Sequence, residues 1–239
     1  MEKFPLDDDQ WKLKETAARA AHALEFNTRN SGLVGRNLAA TFSNFQAAEP
    51  KQRKVLDAVQ NFAKTFTSTS GGGLWLLGTP GSGKTHLGAA MVSKSICERG
   101  LGASMFSLLE ILAMMRARWG KNKETLSFWA REDGLETSDQ LIAHLGSIPL
   151  LVIDELGVGR GTDFELETVF QIVDRRYALQ RPTVILSNLT VQELKPALGD
   201  RSYDRLREGT TLLTLDWPSH RGQNPDHESQ TAQMGNQRR

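Results

Sequence analysis

"LWLLGTPGSGKTHLGAA", residues 74–90, decides the fold. An apolar run, Leu74 to Leu77, leads into Gly78-x4-Gly83-Lys84-Thr85 and then into a run of helix formers. A strand, a glycine-rich turn and a helix in that order make a phosphate-binding loop. Glycines let backbone N–H groups curl around phosphate oxygens, and the following helix points its positive end at them. The spacing assigns Gly78, Thr79, Pro80, Gly81, Ser82, Gly83, Lys84 and Thr85 to a nucleoside triphosphate. Lys84 is expected on the β- and γ-phosphates and the Thr85 hydroxyl on Mg²⁺. A glycine-rich turn without a ligand is the plainer alternative, but the flanking strand and helix are the context that the motif requires.

Outward from this loop the pattern alternates. Strands are expected at 74–77, 103–107, 149–153 and 183–187, with a last apolar run, "TTLLTLD" at 210–216, as an edge strand. Helices are expected at 84–99, 108–118, 163–180 and 190–198, and a charged helical segment at about 122–145. Thr190 and Glu193 have capping-box spacing. Alternation of this kind means an α/β fold, a parallel sheet between helices. Ahead of it, residues 50–66 form a helix with Val55, Val59, Phe62 and Phe66 on one face. A further helix is expected at 7–29, with Trp11, Ala18, Ala21 and Leu24 roughly on one stripe, followed by a linker at 27–37. The division is thus 1–37 as a short helical extension and linker, 38–221 as the nucleotide-binding domain, and 222–239 as a polar, disordered tail.

Composition narrows the function classes. The 239 residues, 39% of them hydrophobic, suffice for one large domain with an extension. A net charge of +1 supplies no global field toward nucleic acid, so any DNA contact must come from a local patch. A single cysteine, Cys97, excludes an intrachain disulfide and a multi-cysteine metal site. No apolar run is long enough to span a membrane, and "MEKFPLDDDQ" is acidic where a signal peptide is basic. A cytoplasmic protein with no membrane contact is the expectation.

A second motif supports the first. "PLLVIDELG", residues 149–157, is a buried strand ending in Asp154-Glu155. Asp154 there can hold Mg²⁺, and Glu155 can orient or deprotonate the water that attacks the γ-phosphate. Asn188, at the end of "TVILSN", can reach the γ-phosphate or that water; otherwise it caps the next helix, a place that Thr190 already suits. Water as the nucleophile favours hydrolysis over phosphorylation of a metabolite. His86, following Thr85, adjoins the nucleotide; a helix-surface contact rather than catalysis is expected of it.

Taken together, "FNTRNSGL" at 26–33, "TFSNF" at 41–45, "GKTHLGAA" at 83–90, "LLVIDELGV" at 150–158, "QIVDRRY" at 171–177, "RPTVILSN" at 181–188, "GDRSYDRLREG" at 199–209 and "WPSHRG" at 217–222 resemble the AAA+ ATPases. More narrowly they resemble DnaC-type helicase loaders and the related IstB transposition helpers, over nearly the whole chain. The resemblance implies an ATP-dependent loader that self-associates through AAA+ interfaces, grips single-stranded DNA and delivers a DnaB-type ring helicase to it in replication initiation. The alternatives are an IstB-like transposition helper and a low-turnover nucleotide-dependent module that binds a helicase. It also implies that Arg205 is an arginine finger reaching the neighbouring subunit's nucleotide, and that Arg221 contacts nucleotide in cis. From spacing alone, Arg201, Arg205 and Arg207 read equally as a solvated helix face. Asp174 is expected to pair with Arg175 or Arg176. His220 departs from the aromatic usual at its position, and the N-terminal extension is shorter than the DnaC pattern.

Single-stranded DNA calls for cations interleaved with stacking aromatics. "MMRARWGKNKETLSFWAREDG", residues 114–134, offers Arg116, Arg118, Lys121 and Lys123 among Trp119, Phe128 and Trp129. The competing reading is an amphipathic hairpin that buries its tryptophans.

Overall fold

The computed structural model describes residues 8–119, 135–159 and 161–220. In chain order these form α1 (Asp8–Arg29), a 3-10 turn (Gly35–Ala39), α2 (Pro50–Thr65), β1 (Gly73–Gly78), α3 (Lys84–Cys97), β2 (Ala103–Ser107) and α4 (Leu108–Trp119). Then follow α5 (Ser138–Ser147), β3 (Leu150–Asp154), α6 (Asp163–Ala178), β4 (Thr183–Ser187), α7 (Val191–Leu198), α8 (Asp200–Arg207) and β5 (Thr210–Leu215). Capping boxes start α2 at Glu49, α5 at Thr137 and α7 at Thr190, each satisfying backbone donors that a helix start leaves open.

The strands form a parallel sheet in the order β2-β3-β4-β1-β5. Their period of two sends alternate residues to opposite faces. Leu74, Leu76, Val152, Val184 and Leu186 pack on α2 and α3, with Val55, Val59, Leu87 and Met91. Trp75, Leu77, Leu151, Ile153 and Ile185 pack on α4 to α8, with Ile111, Leu145, Ile172 and Leu206. Both faces are covered, which is why the central strands read as continuous apolar runs. β5 is the edge strand that the sequence implied. Leu212 on it stays 43% exposed, the half-wet character of an edge.

The stretch expected as a linker is docked. Asn30, Ser31 and Leu33 are buried. The Ser31 carbonyl accepts from the Met105 amide at 2.8 Å, and the Asn30 carbonyl accepts from the Ser104 hydroxyl at 2.8 Å. Gly32 lies against β2 with φ +70°, where a Cβ would sit 2.2 Å from the Met105 oxygen. Only glycine fits there. Ala18, Ala21 and Leu24, the described part of the expected α1 stripe, face solvent instead of the body.

Asp174 also departs from expectation. Its partner is Arg205, not Arg175 or Arg176. Arg176 is 1% exposed. It donates to the carbonyls of Leu145, Ile148 and Pro182 and to the Thr183 hydroxyl, at 2.6–2.8 Å. Burial, with Arg181 nearby, pulls its pKa down to about 9. The four acceptors lie in the last turn of α5 and at the entries to β3 and β4, positions that no local pattern reveals.

Of the basic and aromatic segment at 114–134, Lys121, Lys123, Phe128 and Trp129 lie outside the described residues, as does the Trp119 side chain. Arg118 turns inward, donating to the carbonyls of Leu135 and Met114. Arg116 stays exposed, 5.1 Å from the Phe164 ring centroid. Arg221 and the tail at 222–239 also lie outside the described residues. No described helix is long and apolar enough to cross a membrane.

Candidate nucleotide site

Parallel sheets bind ligands at the carboxyl ends of their strands. Gly78, Ser107, Asp154 and Ser187 end β1, β2, β3 and β4 on that side. A cleft of about 320 Å³ opens there. It is lined by Pro80, Gly81, Gly83, Lys84, Thr85 and His86 from the loop and α3, by Asp154 and Glu155, and by Asn188. The two strand-end motifs and the phosphate-type loop therefore converge, although they are far apart in sequence.

The loop is held ready for a ligand. Gly83 has φ +97°, and a Cβ there would meet the Phe45 ring at 2.6 Å. Lys84 is buried; its ammonium donates to the carbonyls of Gly78 at 2.7 Å and Thr79 at 2.8 Å, with the Ser82 hydroxyl at 3.4 Å. Neutral oxygens thus hold the cation that phosphate oxygens would take over, a stronger charge-assisted pairing. Thr85 Oγ1 donates to Asp154 Oδ2 at 2.9 Å. The other oxygen, Asp154 Oδ1, accepts from the Glu155 amide at 2.7 Å.

Burial raises the Asp154 pKa above the usual carboxylate range. The Thr85 and Glu155 bonds and the Lys84 charge act against that, and Glu110 adds to it. A desolvated carboxylate beside a hydroxyl is a hard-oxygen donor set and suits Mg²⁺. Glu155 is exposed and has φ +56°, the left-handed region that costs a non-glycine residue about 1 kcal/mol or more. The turn that aims it is stapled to β4: Leu156 N donates to Leu186 O at 3.2 Å, and Ser187 Oγ donates to Leu156 O at 2.6 Å. Asn188 is exposed at the cleft and does not cap α7; Thr190 does, through Glu193.

A strap from the far end of the chain completes the loop. Thr79 Oγ1 donates to Trp217 O at 3.0 Å, Trp217 Nε1 donates to Ser82 O at 3.0 Å, and His220 N donates to Gly81 O at 3.0 Å. A second hollow, about 290 Å³, adjoins it between Phe45, Gln52, Gly83, His86 and Trp217. The His86 ring has its Nε2 at 2.8 Å from Thr41 O and meets Phe45 edge-on at 5.6 Å, so it makes the surface contact expected of it. Arg36 and Asn37 also line the first cleft. No motif flags them; they arrive only because residues 30–33 dock on β2.

Arg205 is elsewhere. It lines a cavity of about 150 Å³ with Arg176, Arg181, Tyr177 and Glu208, at the amino ends of the strands. An ionic contact with Asp174 holds it, and its guanidinium lies 5.2 Å from the Phe170 ring centroid and 5.7 Å from that of Tyr177. Tyr177 in turn donates to Glu208 at 2.7 Å. Within one subunit Arg205 takes no part in the nucleotide cleft.

Residues 11–223 match the family of IstB-like ATP binding proteins. The chain is 30% identical to the replicative helicase loader DnaC of Escherichia coli strain K12 over 221 residues, covering 88% of this chain and 84% of that protein. It is 31% identical to the replicative helicase loader DnaC of Buchnera aphidicola (Schizaphis graminum) over 192 residues, 80% of this chain and 73% of that one. Among solved structures, the DnaC helicase loader superposes with a TM-score of 0.62 at 24% identity, over 76% of this chain and 99% of that chain.

Proposed function

The chain belongs to the IstB/DnaC family of ATP-binding AAA+ ATPases, and on that premise we propose that it loads a DnaB-type ring helicase onto single-stranded DNA. The observation that carries the ATPase part is the Thr85–Asp154 bond, which unites the phosphate loop with the acidic strand end beside Glu155 and Asn188. The loader part rests on likeness to DnaC over most of both chains.

In this reading Lys84 leaves the Gly78 and Thr79 carbonyls for the β- and γ-phosphates. Thr85 and Asp154 would hold Mg²⁺, which would supply positive charge against that of the triphosphate. Glu155 orients or deprotonates the attacking water, and Asn188 fixes the γ-phosphate or that water. The loop residues Gly78 to Gly83 and His86 surround the nucleotide, and Arg221 contacts it in cis. Arg205 serves the adjacent subunit's nucleotide, which fits its place outside its own cleft. The extension is the helicase contact in this reading, supported by the exposed Leu24 and Phe26 of α1.

The test combines the purified chain with its host's replicative helicase and single-stranded DNA. Size-exclusion chromatography should give a helicase complex with ATP present, and DNA should raise ATP turnover. A complex that forms without turnover supports the low-turnover module instead. No complex with the helicase, but binding to a transposase, supports the IstB-like helper.

A further inference from the structure

Residues 30–41 form a continuous path from the sheet edge to the cleft. Asn30 and Ser31 bond β2 at Ser104 and Met105, in that order, so the segment advances parallel to β2. Its direction leads to the end of β2, where Ser107 stands in register with Asp154. Leu33 is buried, and its amide donates to Ser31 Oγ at 3.2 Å. The turn Gly35–Ala39 follows, with Arg36 and Asn37 lining the cleft. Ala40 is buried, and the Thr41 carbonyl closes the path at His86. Both ends of the turn are therefore anchored, one beside the metal-side strand end and one on the helix of the phosphate loop.

Arg36 is exposed inside that cleft. Among the described residues its side chain has no hydrogen bond and no carboxylate partner. A cation on an anchored turn, facing a cavity shaped for a triphosphate and spending its five donors on nothing, is placed for a phosphate. Its neighbours in the cleft decide which one. Arg36 lines the cleft together with Asp154, Glu155 and Asn188, the residues read above for Mg²⁺, the γ-phosphate and its attacking water, and it does not line the Phe45–Trp217 hollow, so the terminal phosphate is its target.

We propose that Arg36 grips the γ-phosphate in cis and thereby makes the 30–41 segment, and α1 attached to it, responsive to ATP as against ADP. The inference rests on the reading that this cleft takes ATP. With triphosphate bound, the turn is clamped between sheet and nucleotide. After hydrolysis and loss of phosphate it is held by the β2 and His86 contacts alone. A nucleotide-dependent grip on a partner then needs no domain motion, only a change in how firmly one turn is held.

The experiment uses the full chain with Arg36→Ala and Arg36→Lys, a slowly hydrolysed ATP analogue, and ADP. Fluorescence titration should show Arg36→Ala weakening analogue binding by about ten- to a hundredfold, the value of a charged hydrogen bond. ADP affinity should be nearly unchanged, which also shows that the fold and the loop survive. Arg36→Lys should recover part of the loss. In hydrogen exchange, the analogue should protect amides of residues 27–41 in the wild type more than ADP does, and the difference should vanish in Arg36→Ala. Unchanged analogue affinity, or equal losses for analogue and ADP, overturns the proposal while leaving the cleft an ATP site. A wild-type protein that binds neither nucleotide overturns the parent reading, and this inference with it.

Discussion

Each end of the sheet buries a cation that donates to neutral oxygens, and the two do opposite things. Lys84, at the carboxyl end of β1, donates to carbonyls of its own loop on the wall of an open cleft. Arg176, at the amino ends of β3 and β4, spends its guanidinium on acceptors from three separate segments. The first set of bonds is local and replaceable by an anion. The second ties α5, α6 and the entries to β3 and β4 together, and no ligand can substitute for it. A buried charge is thus not in itself a functional mark. What distinguishes them is whether an anion can reach the cation and whether its present partners can be given up.

Lys84→Ala tests the replaceable cation and should have the largest effect. Nucleotide binding should be lost in titration with a fluorescent ATP analogue, while the ligand-free melting temperature stays close to the wild type. A large drop in melting temperature would break the contrast, because Lys84 would then be structural too. Arg205→Ala comes next. If Arg205 acts in trans as proposed, the variant should bind ATP nearly normally yet lose turnover on the order of a thousandfold, the size of an arginine-finger effect. Mixed with Lys84→Ala subunits, it should regain part of the activity in the presence of single-stranded DNA. Co-assembled mixtures that stay inactive would return Arg205 to the same structural class as Arg176. Arg176→Met has the smallest effect on function and acts on stability alone. Carbonyls left unpaired in the interior cost about 3 kcal/mol in total, roughly 6–12 °C in melting temperature for a domain of this size. Binding of ATP measured well below that temperature should not change. A variant as stable as the wild type would mean that desolvating the guanidinium cancels its four bonds, as happens with some buried ions.

The features legible in the sequence were those with a local signature. Parallel strands buried on both faces appear as apolar runs, so β1 to β4 stood out, and the loop and Asp154-Glu155 follow from their spacing. Thr190 as the α7 cap was readable for the same reason, and it freed Asn188 for the cleft. What escaped depends on contacts across the chain. Asp174 lies beside Arg175 and Arg176 in sequence, yet α8 brings it Arg205, while Arg176 points inward. The segment after α1 has the glycine and asparagine of a tether, but Gly32 is there to lie flat on β2. Arg36 carries no motif, and only that docking brings it to the cleft.

The strap that finishes the phosphate loop has a consequence for biosynthesis. Thr79 and Trp217 are separated by 138 residues along the chain. At a synthesis rate of about 5–20 residues per second, the loop waits about 7–28 seconds between its own emergence and that of the segment that closes it. A nascent chain carrying the complete glycine motif still lacks Leu215, Trp217 and His220 beneath it. ATP therefore meets a preorganised loop only once nearly the whole domain has been translated, and chains aborted before β5 carry the motif without the support that holds it ready.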